Sequence, residues 1–369
     1  MKDPRVRLDT GSPLYLELRR RIDAHLAEPG RLAWGYRTIQ RKTAILFATL
    51  GLGMAIGLST TAWPVVLVGA VIVGLAMAGL GMAVQHDGGH RAYSADPRVN
   101  RAAAAVLDLL GASSHVWHHK HGIAHHTYPN IEGADEDIEL RPLARMAPGQ
   151  PHRWFHRAQH LYMPVLYGML NFKWYWWDDY GDLLRGTIGH TAIRRPRGRE
   201  GAVFWGGKLA HLLWALVLPI AVLGWPLGLL MYGVMSVVCG FVLSLVFQLA
   251  HCVEEAEFLA IAKDSAGQPL HVEFAAHQIA TTVDFAPGLR WLSWYVGGLN
   301  FQAVHHLFPR VCHVHYPQLA PIIAECCREH GVAYRSTASL ARAIGSHFRW
   351  LRRMGRGERV AVLTPAVAP

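Results

Sequence analysis

This chain of 369 residues is poor in the features that mark secreted, nucleic-acid-binding or ordinary soluble proteins. Cysteine is scarce. The five residues Cys239, Cys252, Cys312, Cys326 and Cys327 form no C-x-x-C pair, and their odd number excludes a disulfide framework. Charged side chains make up only 17%, low for a soluble chain. Acidic residues are the minority, 26 against 36 Lys and Arg, which leaves a net charge of +10. Such a balance fits nucleic acid or an anionic membrane surface. No zinc-finger spacing or RNA-binding signature accompanies it, so nucleic acid is not expected as a partner. The N-terminal stretch is polar and Arg-rich with no short apolar core, so no cleaved signal peptide is expected.

What is present is hydrophobic residue, 51% of the chain, gathered into runs. Four runs approach the roughly 20 residues of helix that cross a hydrocarbon core: about 43–60, 63–85, 203–223 and 226–250. The links Thr61-Ala62-Trp63-Pro64 and Gly224-Trp225-Pro226 are very short. The expected fold is therefore an all-α integral membrane protein, with four transmembrane helices in two hairpins and a cytoplasmic helical cap. Neither link carries Lys or Arg, whereas the N-terminal arm, the 86–202 segment and the C-terminal third carry nearly all of them. The positive-inside rule places those regions, and both termini, in the cytoplasm. Shorter apolar stretches at 102–113, 161–177 and 288–301 read as interfacial or re-entrant helices. Segments 317–330 and 338–353 read as cytoplasmic helices, and the last dozen residues as a disordered tail. The expected division is an arm at 1–42, a membrane domain at 43–325, and a helix and tail at 326–369.

Histidine, the commonest metal ligand, gathers in three groups: His86-Asp87-Gly88-Gly89-His90, His118-His119-Lys120-His121 leading to His125-His126, and Gln302-Ala303-Val304-His305-His306. His86 and His90 are one helical turn apart and can share an ion. The poor helix formers Gly88 and Gly89 imply close approach of another backbone or of a metal. Neighbouring rings such as His125 and His126 point roughly 100° apart on a helix, so they serve different ions or shells. No H-E-x-x-H zincin pattern occurs. A closed zinc site takes four ligands, and so many imidazoles suit redox iron better.

The three groups and their flanks resemble the histidine boxes of the membrane fatty acid desaturases. Met82 to His90, Trp117 to His126 followed by Thr127-Tyr128-Pro129-Asn130, and Asn300 to Pro309 are similar to the front-end branch, which includes Δ6 (linoleoyl-CoA) desaturases. That branch carries Gln at the first place of the third box, here Gln302. The resemblance implies two non-haem irons held by His86, His90, His121, His125, His126, His305 and His306, with His251 of Gln248-Leu249-Ala250-His251 as a further ligand from the fourth span. It implies supporting roles for Gln302 and His277, while His118 and His119 read from their spacing as supporting or surface residues. An Asn found in part of the family four residues before His251 is Phe247 here. The implied reaction uses O₂ to place a cis double bond in an acyl-CoA or acyl-lipid chain. No His-Pro-Gly-Gly motif of a fused cytochrome b5 occurs, so a separate ferredoxin, cytochrome b5 or reductase is expected to supply electrons. A hydroxylase on the same scaffold and, more distantly, a haem-binding electron carrier remain as alternatives. The stripe His152, His156, His160 and the pair His313, His315 read as structural. The acidic runs Asp135-Glu136-Asp137 and Asp178-Asp179 read as solvated helix starts, with partners for ligand histidines as the alternative.

Overall fold

The structure is a computed structural model that describes residues 6–188, 191–259 and 270–358. It is predominantly helical. The terminal tail expected after Arg359 lies outside the described residues.

Among the described residues, four helices are long and apolar enough to cross a membrane: Arg31–Leu58, Trp63–Gly89, Gly198–Leu223 and Trp225–His251. A helix suits that environment because every backbone N–H and C=O is satisfied within the segment. Three of the four match the runs read from sequence to within a few residues. The first starts twelve residues early, at Arg31 rather than Thr43. Its polar first turns are amphipathic and bury Gly35, Ile39 and Lys42. A Cβ on Gly35 would lie 2.3 Å from His315 Nε2, and Lys42 Nζ bonds His313 Nε2 at 2.9 Å. This extension therefore packs against the region just after the third histidine group.

Small residues bring the long helices together, as is common between membrane helices. A Cβ on Gly69 of the second helix would meet Gly57 Cα of the first at 2.4 Å. One on Gly74 would meet Met235 O of the fourth helix at 2.6 Å. The third helix carries one buried cation, Lys208. Its Nζ donates to Asp179 Oδ2 at 2.5 Å and to Gly111 O at 2.8 Å, beneath the rings of Tyr175, Tyr180 and Phe204.

Four short π-helical segments interrupt the helices: Gly81–Gln85, His118–His125, Trp174–Asp178 and Leu212–Val217. Strands are few and short. Val6–Asp9 runs parallel to Leu270–Glu273, Asp284–Phe285 parallel to Ser336–Thr337, and Thr187–Ile188 antiparallel to Thr191–Ala192. The main core lies among the long helices. A second core joins the Pro13–Leu26 helix to the third histidine group and to the Tyr316–Glu329 helix. A third seats the Leu340–Gly355 helix on Gln159–Gly168.

Candidate metal centre

The histidine groups converge because the second and fourth long helices both end on them. The Gly81–Gln85 π segment leads into His86–Gly89, with His90 as the cap. A Cβ on Gly88 would fall 2.4 Å from Ala104 N, and one on Gly89 2.2 Å from the Trp117 ring. Close backbone and ring approach therefore explains both glycines. The second group lies on the His118–His125 π segment, where the His126 N–H reaches back to His121 O. The third lies on Gln302–Leu307, whose first turn is capped by Asp284: Ala303 N donates to Asp284 Oδ1 at 3.1 Å. His251 is the last residue of the fourth helix.

Side chains from all four segments meet. His86, His90, His121 and His305 form one group, His125, His251 and His306 another, and His126 with His305 and His306 a third that joins them. Within each group the ligand atoms lie within 4.8 Å of one another. That is close to the spread expected of imidazole nitrogens about 2 Å from a shared ion. All eight rings are buried. The Nε2 atoms of His86, His90, His121, His126, His305 and His306 have no hydrogen-bond partner, a costly state for buried polar atoms that a metal would relieve.

Five of the rings are anchored on their other face. Nδ1 of His125 donates to Asp135 Oδ1 at 3.0 Å and lies 3.5 Å from Asp137 Oδ2, and Nδ1 of His121 donates to Asp137 Oδ2 at 3.3 Å. Nδ1 of His251 donates to Thr281 O at 3.1 Å, that of His306 to Gln278 Oε1 at 2.8 Å, and that of His305 to Tyr316 Oη at 3.3 Å. A proton fixed on Nδ1 leaves the Nε2 lone pair free for a metal. Burial holds His126, His305 and His306 well below the usual imidazole range, and neighbouring imidazoles add to it. Those rings are neutral, as ligands must be. Burial also opposes charge on His125, but Asp135 and Asp137 outweigh it and raise that ring to about 9.

Sequence reasoning missed most of these acceptors, Gln278 most clearly, and it gave no role to the donor Asn130. Gln278 also donates through Nε2 to His126 O at 3.0 Å, tying the second group to the third. Asn130, held at φ 55°, donates to the carbonyls of His251 and Glu257, both at 3.0 Å, while its own N–H bonds Asp135 Oδ2 at 2.8 Å. Asp135 is buried and is no solvated helix start, a correction to the first reading of that acidic run. Asp179 is likewise buried, against Lys208. Gln302 reaches the centre: its amide donates to His251 Nε2 at 2.9 Å. His118 is exposed beside Gly122, and His277 is buried, and both stand outside the imidazole groups. Phe247 places its ring 6.1 Å from that of His121, an apolar wall beside the imidazoles. His152 and His156 bond the carbonyls of Gly355 and Pro142, and His313 bonds Asp87, so these rings serve structure.

A cavity of about 150 Å³ opens beside His121. Its apolar walls include Trp117, Met163, Leu166, Leu170, Trp174 and Phe247. Charged side chains gather on the same lining, among them Lys120, Asp137, Lys173 and Asp182.

The family model for fatty acid desaturases matches residues 61–338, which contain every clustered imidazole. The chain belongs to the fatty acid desaturase family. The desaturase is 35% identical over 349 residues to the sn-1 linoleoyl-lipid 6-desaturase of Arthrospira platensis, covering 92% of this chain and 91% of that protein. It is 37% identical over 342 residues to the protein of the same name from Synechocystis, covering 92% and 94%. An acyl-lipid (8-3)-desaturase of Physcomitrium patens is 36% identical over 294 residues, 78% of this chain and 60% of that protein. These relatives fall in the front-end, Δ6-like branch. The protein is an integral-membrane oxidoreductase that desaturates fatty acyl chains, and its imidazole groups are able to bind metal.

Proposed function

We propose that this desaturase inserts a cis double bond into the acyl chain of a membrane lipid at a centre of two non-haem irons. The observation that carries the reading is the convergence of eight buried imidazoles, five of them anchored on protein through Nδ1 and six with an Nε2 that has no hydrogen-bond partner. His86, His90, His121, His125, His126, His251, His305 and His306 are assigned as ligands, with Gln302 orienting His251. Bound iron supplies the redox chemistry with O₂. Two hydrogens leave adjacent methylenes, two electrons and two protons enter, and O₂ ends as two waters. The protein's own part is to hold most of the rings neutral by burial, to orient His125 on Asp135 and Asp137, to exclude bulk water, and to set one carbon pair of a chain in the cavity beside His121. Each methylene buried there contributes about 0.8 kcal/mol to holding the chain.

The lipid-linked substrate is supported by the names of the relatives, which act on acyl lipids. In this reading residues 43–325 form the membrane domain, with two hairpins and a cytoplasmic cap around the metals. The arm 1–42 and the segment 326–369 lie on the same, cytoplasmic side, as the charge distribution favours. A separate ferredoxin, cytochrome b5 or reductase supplies the electrons.

The test is a fatty-acid profile by gas chromatography–mass spectrometry, with double bonds located by derivatisation, in a host expressing the wild type or His305→Ala. A new double bond with the wild type alone is expected. A hydroxylated acid would move the protein to a hydroxylase reading. No product from iron-loaded protein with an electron donor would remove the acyl-lipid substrate.

A further inference from the structure

The cavity beside His121 is small. A dry protein cavity of about 150 Å³ admits a molecule the size of benzene, far less than a long acyl chain. One wall must therefore give way. Trp117, His121 and Phe247 belong to the imidazole centre and cannot move without disturbing it. The opposite wall is a single layer, the helix Gln159–Gly168 followed by Leu170–Lys173, which supplies Met163, Leu166, Tyr167 and Leu170.

That layer has cavity on one side and apolar surface on the other. Leu161 and Val165 are 71% and 68% exposed, and Met169 one turn further on is 46% exposed. They sit at i, i+4, i+8 and form one face. The layer runs beside the fourth long helix, with Tyr167 O near Ser244 and Asn171 near Ser236. Val237, against Gly168, is 14 residues before His251, or about 21 Å along the helix at 1.5 Å per residue. The exposed face thus lies beside the membrane-spanning part of the fourth helix, where its neighbour is hydrocarbon.

The layer is fixed at one end, where Gln159 donates to Leu351 O and Tyr167 bonds His347, but has weaker polar ties to the fourth helix. Pro164 interrupts its hydrogen bonding, and the helix breaks at Met169. Its side-chain bonds to the fourth helix are long: Ser244 Oγ to Tyr167 O at 3.3 Å and Asn171 Nδ2 to Ser236 Oγ at 3.4 Å. The cavity lining gives a polyanionic carrier little to bind: among the described residues its cations are Lys120 and Lys173, and Lys173 is paired with Asp178. Most of its carboxylates are paired too, Glu139 with Arg141, Asp179 with Lys208 and Asp182 with Arg185, so they set up no net repulsion.

We infer that the acyl chain reaches the metal centre sideways from the bilayer, by displacement of the 159–173 layer from the fourth helix, while its headgroup stays with the membrane. The inference rests on the acyl-lipid reading above and adds the route. The occupant of the opened groove is a bilayer lipid chain.

A disulfide staple tests it. A Cβ built on Gly168 lies 3.8 Å from Val237 Cβ, the usual separation across a disulfide. Gly168→Cys/Val237→Cys in lipid nanodiscs, with iron loaded and an electron donor present, is expected to lose at least tenfold in product when oxidised. It should recover on reduction, with iron per chain unchanged. A bilayer lipid carrying a mid-chain diazirine should label the Ala112–Trp117 region or Phe247 in the reduced form only. Equal labelling in oxidised and reduced protein, or equal turnover, would overturn the route while leaving the acyl-lipid assignment in place. Labelling that obeys the staple without any double bond formed would sink the assignment and keep the route. If the first pair does not fold, Asn171→Cys/Ser236→Cys places the staple one turn deeper with the same expected readings.

Discussion

Two buried polar regions of the desaturase differ in one respect. Around Lys208 the charges close on themselves: the ammonium has a carboxylate, a carbonyl and three aromatic faces. Around the eight histidines five rings are held through Nδ1, while six Nε2 atoms, turned inward, have no partner. A closed network serves to join helices. A network held on one face and open on the other is able to take a ligand, and in the proposed assignment the open Nε2 atoms are the ones that face the metal. Burial alone would not have separated the two, since both are equally removed from solvent.

The contrast predicts different failures. His305→Ala, which removes a ring shared by two of the three imidazole groups, should abolish product by more than about 100-fold and lower the iron content, read by metal analysis per chain. Asp135→Ala leaves every proposed ligand in place but frees the His125 ring. Metal affinity should fall by about 10–100-fold, measured by competition with a chelator, with Asp135→Asn retaining part of it. Asp179→Leu should do the opposite. It leaves Lys208 buried without its partner at a cost of about 3–5 kcal/mol, seen as a lowered Tm with iron content unchanged. The double change Lys208→Met/Asp179→Leu should recover most of that Tm, and if it does not, the closed network has a role beyond stability. The smallest effect concerns Asp284, which caps the third histidine group. Burial pushes its carboxyl up to about 7. The folded state thus holds a proton that the unfolded chain releases at about 4. Its stabilising contribution is complete below that value and is lost as pH rises through about 7. Tm should drop by a few degrees between pH 5.5 and 8, and Asp284→Asn should flatten that drop.

The spans and histidine groups were legible because both are local signals. A span is a run of apolar residues, and two imidazoles four apart share a helix face whatever the rest of the chain does. The acceptors behind the rings were not. Gln278 lies 28 residues before His306 and 152 after His126, and nothing in its neighbourhood marks a glutamine that must use both ends of its amide. Thr281 contributes only a carbonyl, which every residue has. Asp135 stands in an acidic run of a kind that normally faces water. The start of the first helix was missed because residues 31–42 are too polar for a span, yet a helix can extend beyond the bilayer if one side finds protein to pack on.

The π segment under the second histidine group has a consequence for how this sequence can vary. An α-helix widened by one residue per turn sets His126 above His121, and it is this extra residue that lets His121, His125 and His126 all reach inward. The information lies in the count of residues as much as in their identity. A single-codon deletion between Gly122 and Ala124 would keep every histidine and still swing rings out of the centre, so this stretch should accept substitutions far more readily than changes of length.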